Sequence, residues 1–233
     1  MMASRPILFS GPMVRAILDG GKRQTRRMIK HGPERRDGCS KFSIGDRLWV
    51  REAWSGEYVF RHIKPSQRRP MDTGHGTAAF PQSVHYWADG NPELGDWERP
   101  RPSIHMPRFA SRLTLRVTDV QLQRLQNISK EDAIAEGLHQ NPMAPEYAKQ
   151  RGCDWTYPGE TRVADPISAF AALWNSINAK SGFGWDVNPW VVAITFAPHP
   201  CNINQLEAAL QPLSINPEDA QRGDRKVSYA NQP

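Results

Sequence analysis

One octet, Gly20-Gly21-Lys22-Arg23-Gln24-Thr25-Arg26-Arg27, concentrates the groups of this chain that can do chemistry. Lys22 brings an ammonium, Thr25 a hydroxyl three residues on, and Arg26 and Arg27 two guanidinium forks. Beside a glycine turn, that set suits a phosphate, a carboxylate or a polarised carbonyl. The same residue types also describe a basic turn on a solvated surface. The charge pattern favours the first reading. Between Lys22 and Arg36 seven cations stand against one acid, Glu34, whereas a solvated surface mixes signs. Nucleic-acid contact is therefore expected, with Arg23, Arg26, Arg27 and Arg51 as its charged groups. Trp49 and Trp54 are either stacking platforms for a base or packing residues.

The pattern Gly-x-Lys-x-x-Thr-x-Arg, met by Gly20, Lys22, Thr25 and Arg27, resembles the signature of the ASCH domain family. The order of later segments agrees. Gly45-Asp46-Arg47-Leu48-Trp49-Val50-Arg51-Glu52 and Asn188-Pro189-Trp190-Val191-Val192 resemble the longer phage and prophage branch, and the likeness runs from residue 5 to 197. It implies an α+β fold: a PUA-like, mostly antiparallel β-barrel flanked by α-helices. It also implies association with RNA or a modified nucleoside. Compact members hydrolyse N4-acylated cytidine nucleosides with a lysine, a threonine and a glutamate. Lys22 and Thr25 match the first two by motif, and Glu136 matches the third by its place in the helix after the long strand.

Amide hydrolysis needs a positioned nucleophile and a proton acceptor. Thr25 Oγ1 can attack the acyl carbon. Lys22, desolvated and crowded by Arg26 or Arg27, would have a lowered pKa and can take the proton. Glu136 can orient Lys22, activate water or protonate the leaving amine; these roles stay open. Lys22 and Thr25 would face opposite sides of a regular strand, so Lys22 must lie in the glycine turn or wrap its stem around. Glu131 competes with Glu136, but five residues on a helix turn through about 140°, so only one can face the site. The chain departs from the compact members in its length, its insertion and its extra arginines. A basic wall suits a polynucleotide better than a free nucleoside.

The elements that must position these groups can be traced in order. Ile7-Leu8-Phe9 forms the first strand, and Ser10-Gly11-Pro12 opens a helix that Gly20 stops. Residues 30–41 form a loop. A strand follows from Arg47 to Trp54, with Leu48 and Val50 on its apolar face. Residues 55–104 make a loop-rich insertion with one strand at Val84–Trp87, read as a lid or basic wall over the barrel mouth. Leu113 to Leu122 alternates with a shift near Asp119, which predicts a bulge. Ser129 starts a short helix that Gly137 ends, and residues 139–164 are irregular. Asp165-Pro166 starts the longest helix, and Pro189 to Phe196 is the last strand. The barrel domain thus spans residues 1–198, and 199–233 form a tail with one short helix and a disordered end.

With 39% hydrophobic residues the 233-residue chain can bury a core, and 20 prolines and 17 glycines exclude a helical bundle. A net charge of +6 favours polyanionic partners. Three separated cysteines form no pair or ligand motif, so a cytoplasmic home is expected. No metal or cofactor motif occurs, no signal peptide precedes Ile7, and no run is long enough to span a membrane. Three functions follow from these readings. The chain binds RNA or a modified base, hydrolyses an acylated pyrimidine nucleoside, or serves phage assembly or host interaction through an apolar patch.

Overall fold

Side-chain alternation starts the fold. In β1 (Ser4–Leu8) Ile7 turns inward while Leu8 stays out, and Phe9 behind it is 3% exposed. α1 (Gly11–Leu18) carries Pro12 in its first turn and buries Val14, Ala16 and Ile17. Leu18, at the end of the helix, is exposed. Gly20, at φ +77°, then reverses the chain toward β2 (Gln24–Met28). The computed structural model describes residues 2–29, 41–67, 84–140, 155–156 and 165–210.

These strands join a five-stranded sheet completed by β3 (Arg47–Arg51), β6 (Thr114–Arg124) and β9 (Trp190–His199). The order is β1-β3-β6-β9-β2; β1 and β3 run parallel and the other neighbours antiparallel. The register of β6 against β9 shifts between Val117 and Asp119, the bulge that the broken alternation predicts. One apolar cluster joins Ile7, Phe9, Val14 and Ile17 to Leu48, Leu115 and Ile194. Each such fully buried aliphatic side chain contributes about 1.5–3 kcal/mol.

A mixed α+β architecture is therefore present. Among the described residues no ladder joins the edge strands β1 and β2, so hydrogen bonding does not complete the barrel implied by the resemblance. Their connection is α1, whose Val14 and Ile17 fill the core that both edges border. The edges still meet through side chains. Arg27 Nη2 donates to the Leu8 carbonyl at 2.7 Å, and its guanidinium lies 5.1 Å from the Phe9 ring centroid.

The strand expected from Arg47 to Trp54 is two strands. It breaks at Glu52-Ala53, and β4 (Trp54–Gly56) leaves to pair with β5 (Val84–Tyr86). The cause is Glu52, which is 1% exposed and accepts from both Arg112 Nε (3.0 Å) and Arg112 Nη2 (3.1 Å). Arg112 also grips Asp89, at 2.6 and 2.8 Å, so one guanidinium fastens the insertion to the sheet.

α2 (Lys130–Ala135) and α3 (Pro166–Asn178) pack together over a second cluster that includes Ala133, Phe170, Leu173 and Val191. Asp165 caps α3 by accepting from Ser168 N at 3.0 Å. A small pairing of β7 (His139–Gln140) with β8 (Trp155–Thr156) lies inside the stretch expected to be irregular. α4 (Ile203–Ala209) buries Ile203 and Leu206. Its Glu207 meets Arg108 at 2.8 Å, so the start of the expected tail is docked on the body. The loop expected at 30–41 falls almost wholly outside the described residues, as do 211–233.

Candidate functional site

Lys22 precedes β2 and forms a single antiparallel bridge with Glu136. Its backbone N–H donates to Ala16 O at 2.8 Å, and Arg23 N–H donates to Ala135 O at 2.8 Å. Lys22 thus lies in the turn, outside the regular strand, which removes the conflict of facing with Thr25.

Two short spacings then build the site. Asp132 and Glu136, four residues apart, share one face at the end of α2. Gln24 and Arg26, two apart, share one face of β2. Where the pairs meet, Arg26 Nη1 donates to Gln24 Oε1 (2.5 Å) and Glu136 Oε1 (3.1 Å), and Nη2 to Asp132 Oδ2 (2.7 Å). Gln24 Nε2 reaches Asp132 Oδ1 (3.1 Å) and Thr195 Oγ1 (3.2 Å). With its amide oriented as its neighbours require, Gln123 accepts from Arg26 Nη2 at 2.9 Å. Glu131 is exposed on another face of the helix, so the choice between the two glutamates falls on Glu136.

Lys22 is wholly buried, and its ammonium donates to Gln24 O (2.9 Å), Glu136 O (2.7 Å) and Glu136 Oε2 (2.8 Å). Three acceptors match the three protons of a charged amine. Burial pulls its pKa below the ordinary lysine value, the Glu136 carboxylate pulls it back, and Arg27 and Arg26 push it down again. Glu136 sits at the C-cap of α2, where the helix dipole disfavours a carboxylate. Lys22 on one oxygen and Arg26 on the other offset that cost.

Gly137 makes the approach possible. Its φ is +93°, and a Cβ there would lie 2.9 Å from Lys22 Cβ and 3.2 Å from Ala16 Cβ. A side chain would collide with the stem of Lys22 in a conformation that already favours glycine.

Thr25, Arg26, Arg27 and Glu136 face a cavity of about 90 Å³, closed on its apolar side by Phe170 and Trp174 of α3. Thr25 is 5% exposed, and its hydroxyl has no hydrogen-bond partner among the described residues. Lys22 stands behind Glu136 and does not line the cavity. The space is well below the roughly 300 Å³ of a small-molecule pocket, so it admits an acyl group or the edge of a base.

The remaining expected binding residues lie elsewhere. Arg23 is exposed and donates to Gly20 O at 3.2 Å. Trp54 is 1% exposed in a cluster with Val84 and Met106, and Trp49 is 9% exposed, covered by the Arg51 guanidinium 5.2 Å from its ring. Both indoles are packing residues here, because sheet and insertion cover the faces that a base would use. Arg51 lines a separate groove.

Gln24, Gln123, Asp132 and Gly137 complete the site although sequence reading assigned them no part in it. The four-residue spacing of Asp132 and Glu136 was a usable signal, since it places two acids on one helix face. Gln123 lies far from the motif in sequence and gave none. Neither a scan of protein-family models nor searches of curated proteins and solved structures found a match to this chain.

Proposed function

We propose that this chain is an ASCH-type domain with a PUA-like sheet, and that its cavity takes the acylated edge of a modified pyrimidine and hydrolyses the amide. The observation that carries the reading is the Thr25 hydroxyl, without a hydrogen-bond partner among the described residues, in one small cavity with the Glu136 carboxylate, itself gripped by Lys22 and Arg26. Thr25 Oγ1 attacks the acyl carbon and passes its proton to Glu136. Collapse breaks the C–N bond, and Glu136 returns the proton to the leaving nitrogen. A water then attacks the threonyl ester, again through Glu136, releasing the acid and restoring the hydroxyl. Arg27 supplies positive charge at the cavity wall for the oxyanion. Lys22 acts through Glu136, because its own protons are all engaged.

A second reading, recognition of the base without turnover, draws on the saturated ammonium and the small cavity. One incubation separates the two. Purified protein is mixed with N4-acetylcytidine, free or within RNA, and cytidine is followed by chromatography. The hydrolase reading expects turnover that is lost in Thr25→Ala. Binding of the modified base by wild type and Thr25→Ala alike, with no cytidine formed, would leave the second reading.

A further inference from the structure

We propose that a second basic site, the groove where the insertion meets the end of β3, binds the phosphodiester backbone of a single-stranded nucleic acid. The groove measures about 480 Å³ and is lined by Arg51, Lys64, Arg101, Ile104 and His105. Arg51 Nε donates to Met106 O at 3.0 Å, and Nη2 donates to Ile104 O. Both acceptors are neutral carbonyls, and among the described residues no carboxylate pairs with Arg51. Other arginines are matched by acids: Arg26 by Asp132 and Glu136, Arg112 by Glu52 and Asp89, Arg108 by Glu207. Arg51 instead lies over Trp49, and among the described residues three of its five N–H donors have no acceptor. Lys64, exposed beside it, has no ion-pair partner among the described residues. Arg101 adds a third cation, tied through Nε to Glu98 at 2.6 Å.

A fixed fork and an exposed ammonium along one groove match the spaced anionic oxygens of a phosphodiester chain. Three cations dominate the lining, with the His105 imidazole as its ring among the described residues, so the groove addresses backbone phosphates first. Leu8 links it to the cavity. Leu8 is the register partner of Arg51, about 4.8 Å away across the ladder, and its carbonyl takes the bond from Arg27 of the cavity wall. That the base entering the cavity belongs to a polynucleotide rests on the hydrolase reading; phosphate binding by the groove does not.

The test measures binding of short fluorescent oligouridylate, and its deoxy counterpart, to the full chain by anisotropy over a salt series. Lys64→Gln is expected to weaken binding roughly three-fold or more and to lower the log–log salt slope by about 1. Arg51→Gln should do at least as much, and Lys180→Gln, the loss of an exposed charge on a different element, nothing. Ribose and deoxyribose chains should respond alike, since the groove's cations address the phosphates common to both. Lys64→Gln removes an exposed ammonium that has no ion-pair partner among the described residues, so misfolding would not explain its effect. Unchanged binding in both groove variants, or equal competition by polyglutamate at matched charge, would overturn the proposal. Turnover of free N4-acetylcytidine with unchanged oligonucleotide binding in Lys64→Gln would sink the groove alone. Weakened binding without any turnover would sink the hydrolase alone.

Discussion

Glu136 carries its charge at a helix end that disfavours it, in a site that is 6% exposed. Lys22 and Arg26 make that tolerable, so removing one cation should leave a costly unpaired carboxylate. Lys22→Met is expected to destabilise the fold by about 3–5 kcal/mol. The double variant Lys22→Met/Glu136→Gln should lose clearly less, because charge and counter-charge leave together. Urea unfolding midpoints of the two would check this, and equal losses would show that the pair is not coupled. At this scale the meeting of Lys22 with Glu136, and of Glu136 with Thr25 at one cavity, was legible from motif and position. The order of action was not, because a sequence does not reveal that Nζ has three acceptors of its own and stands behind the carboxylate.

The site depends on α2 ending two residues before Gly137 and on β2 starting two residues after Lys22. Gly137→Ala should cost about 1–3 kcal/mol through left-handed strain and contact with Lys22 Cβ, and should lower any turnover as Glu136 shifts. Thermal unfolding beside the activity assay measures both. α4 gives an independent pH test. The Ser4 hydroxyl, then Arg108 and Arg47, hold the Glu207 carboxyl below its ordinary value of 4.5. A depressed folded-state pKa adds stability that is present above 4.5 and lost as pH falls through the folded value. Wild type should therefore exceed Glu207→Gln in thermal midpoint at neutral pH, with the gap closing on acidification. A gap that persisted in acid would contradict the assignment. Periodicity made α1, the β6 bulge and α3 readable in advance. It did not reveal the break at Glu52, because that carboxylate's partner, Arg112, lies on the far side of the insertion.

Across the whole molecule, the net charge of +6 does not act as one basic surface. Arg26, Arg108 and Arg112 are paired with acids, whereas Arg51 and Lys64 are among the cations with no acid partner among the described residues. Composition predicted a polyanionic partner without locating it, since pairing is decided by tertiary contacts that residue counts do not contain. Oligonucleotide affinity should accordingly fall steeply with salt, but with a slope set by the few uncompensated cations rather than by all 30 basic residues. A steep slope unchanged in the Arg51 and Lys64 variants would place the contact elsewhere. The most direct test of the catalytic claim compares cytidine release from N4-acetylcytidine by wild type, Glu136→Gln and Glu131→Gln. The account expects turnover in wild type and Glu131→Gln and a loss of about 10²–10⁴-fold in Glu136→Gln. Equal rates in all three proteins, or no release by any, would contradict it.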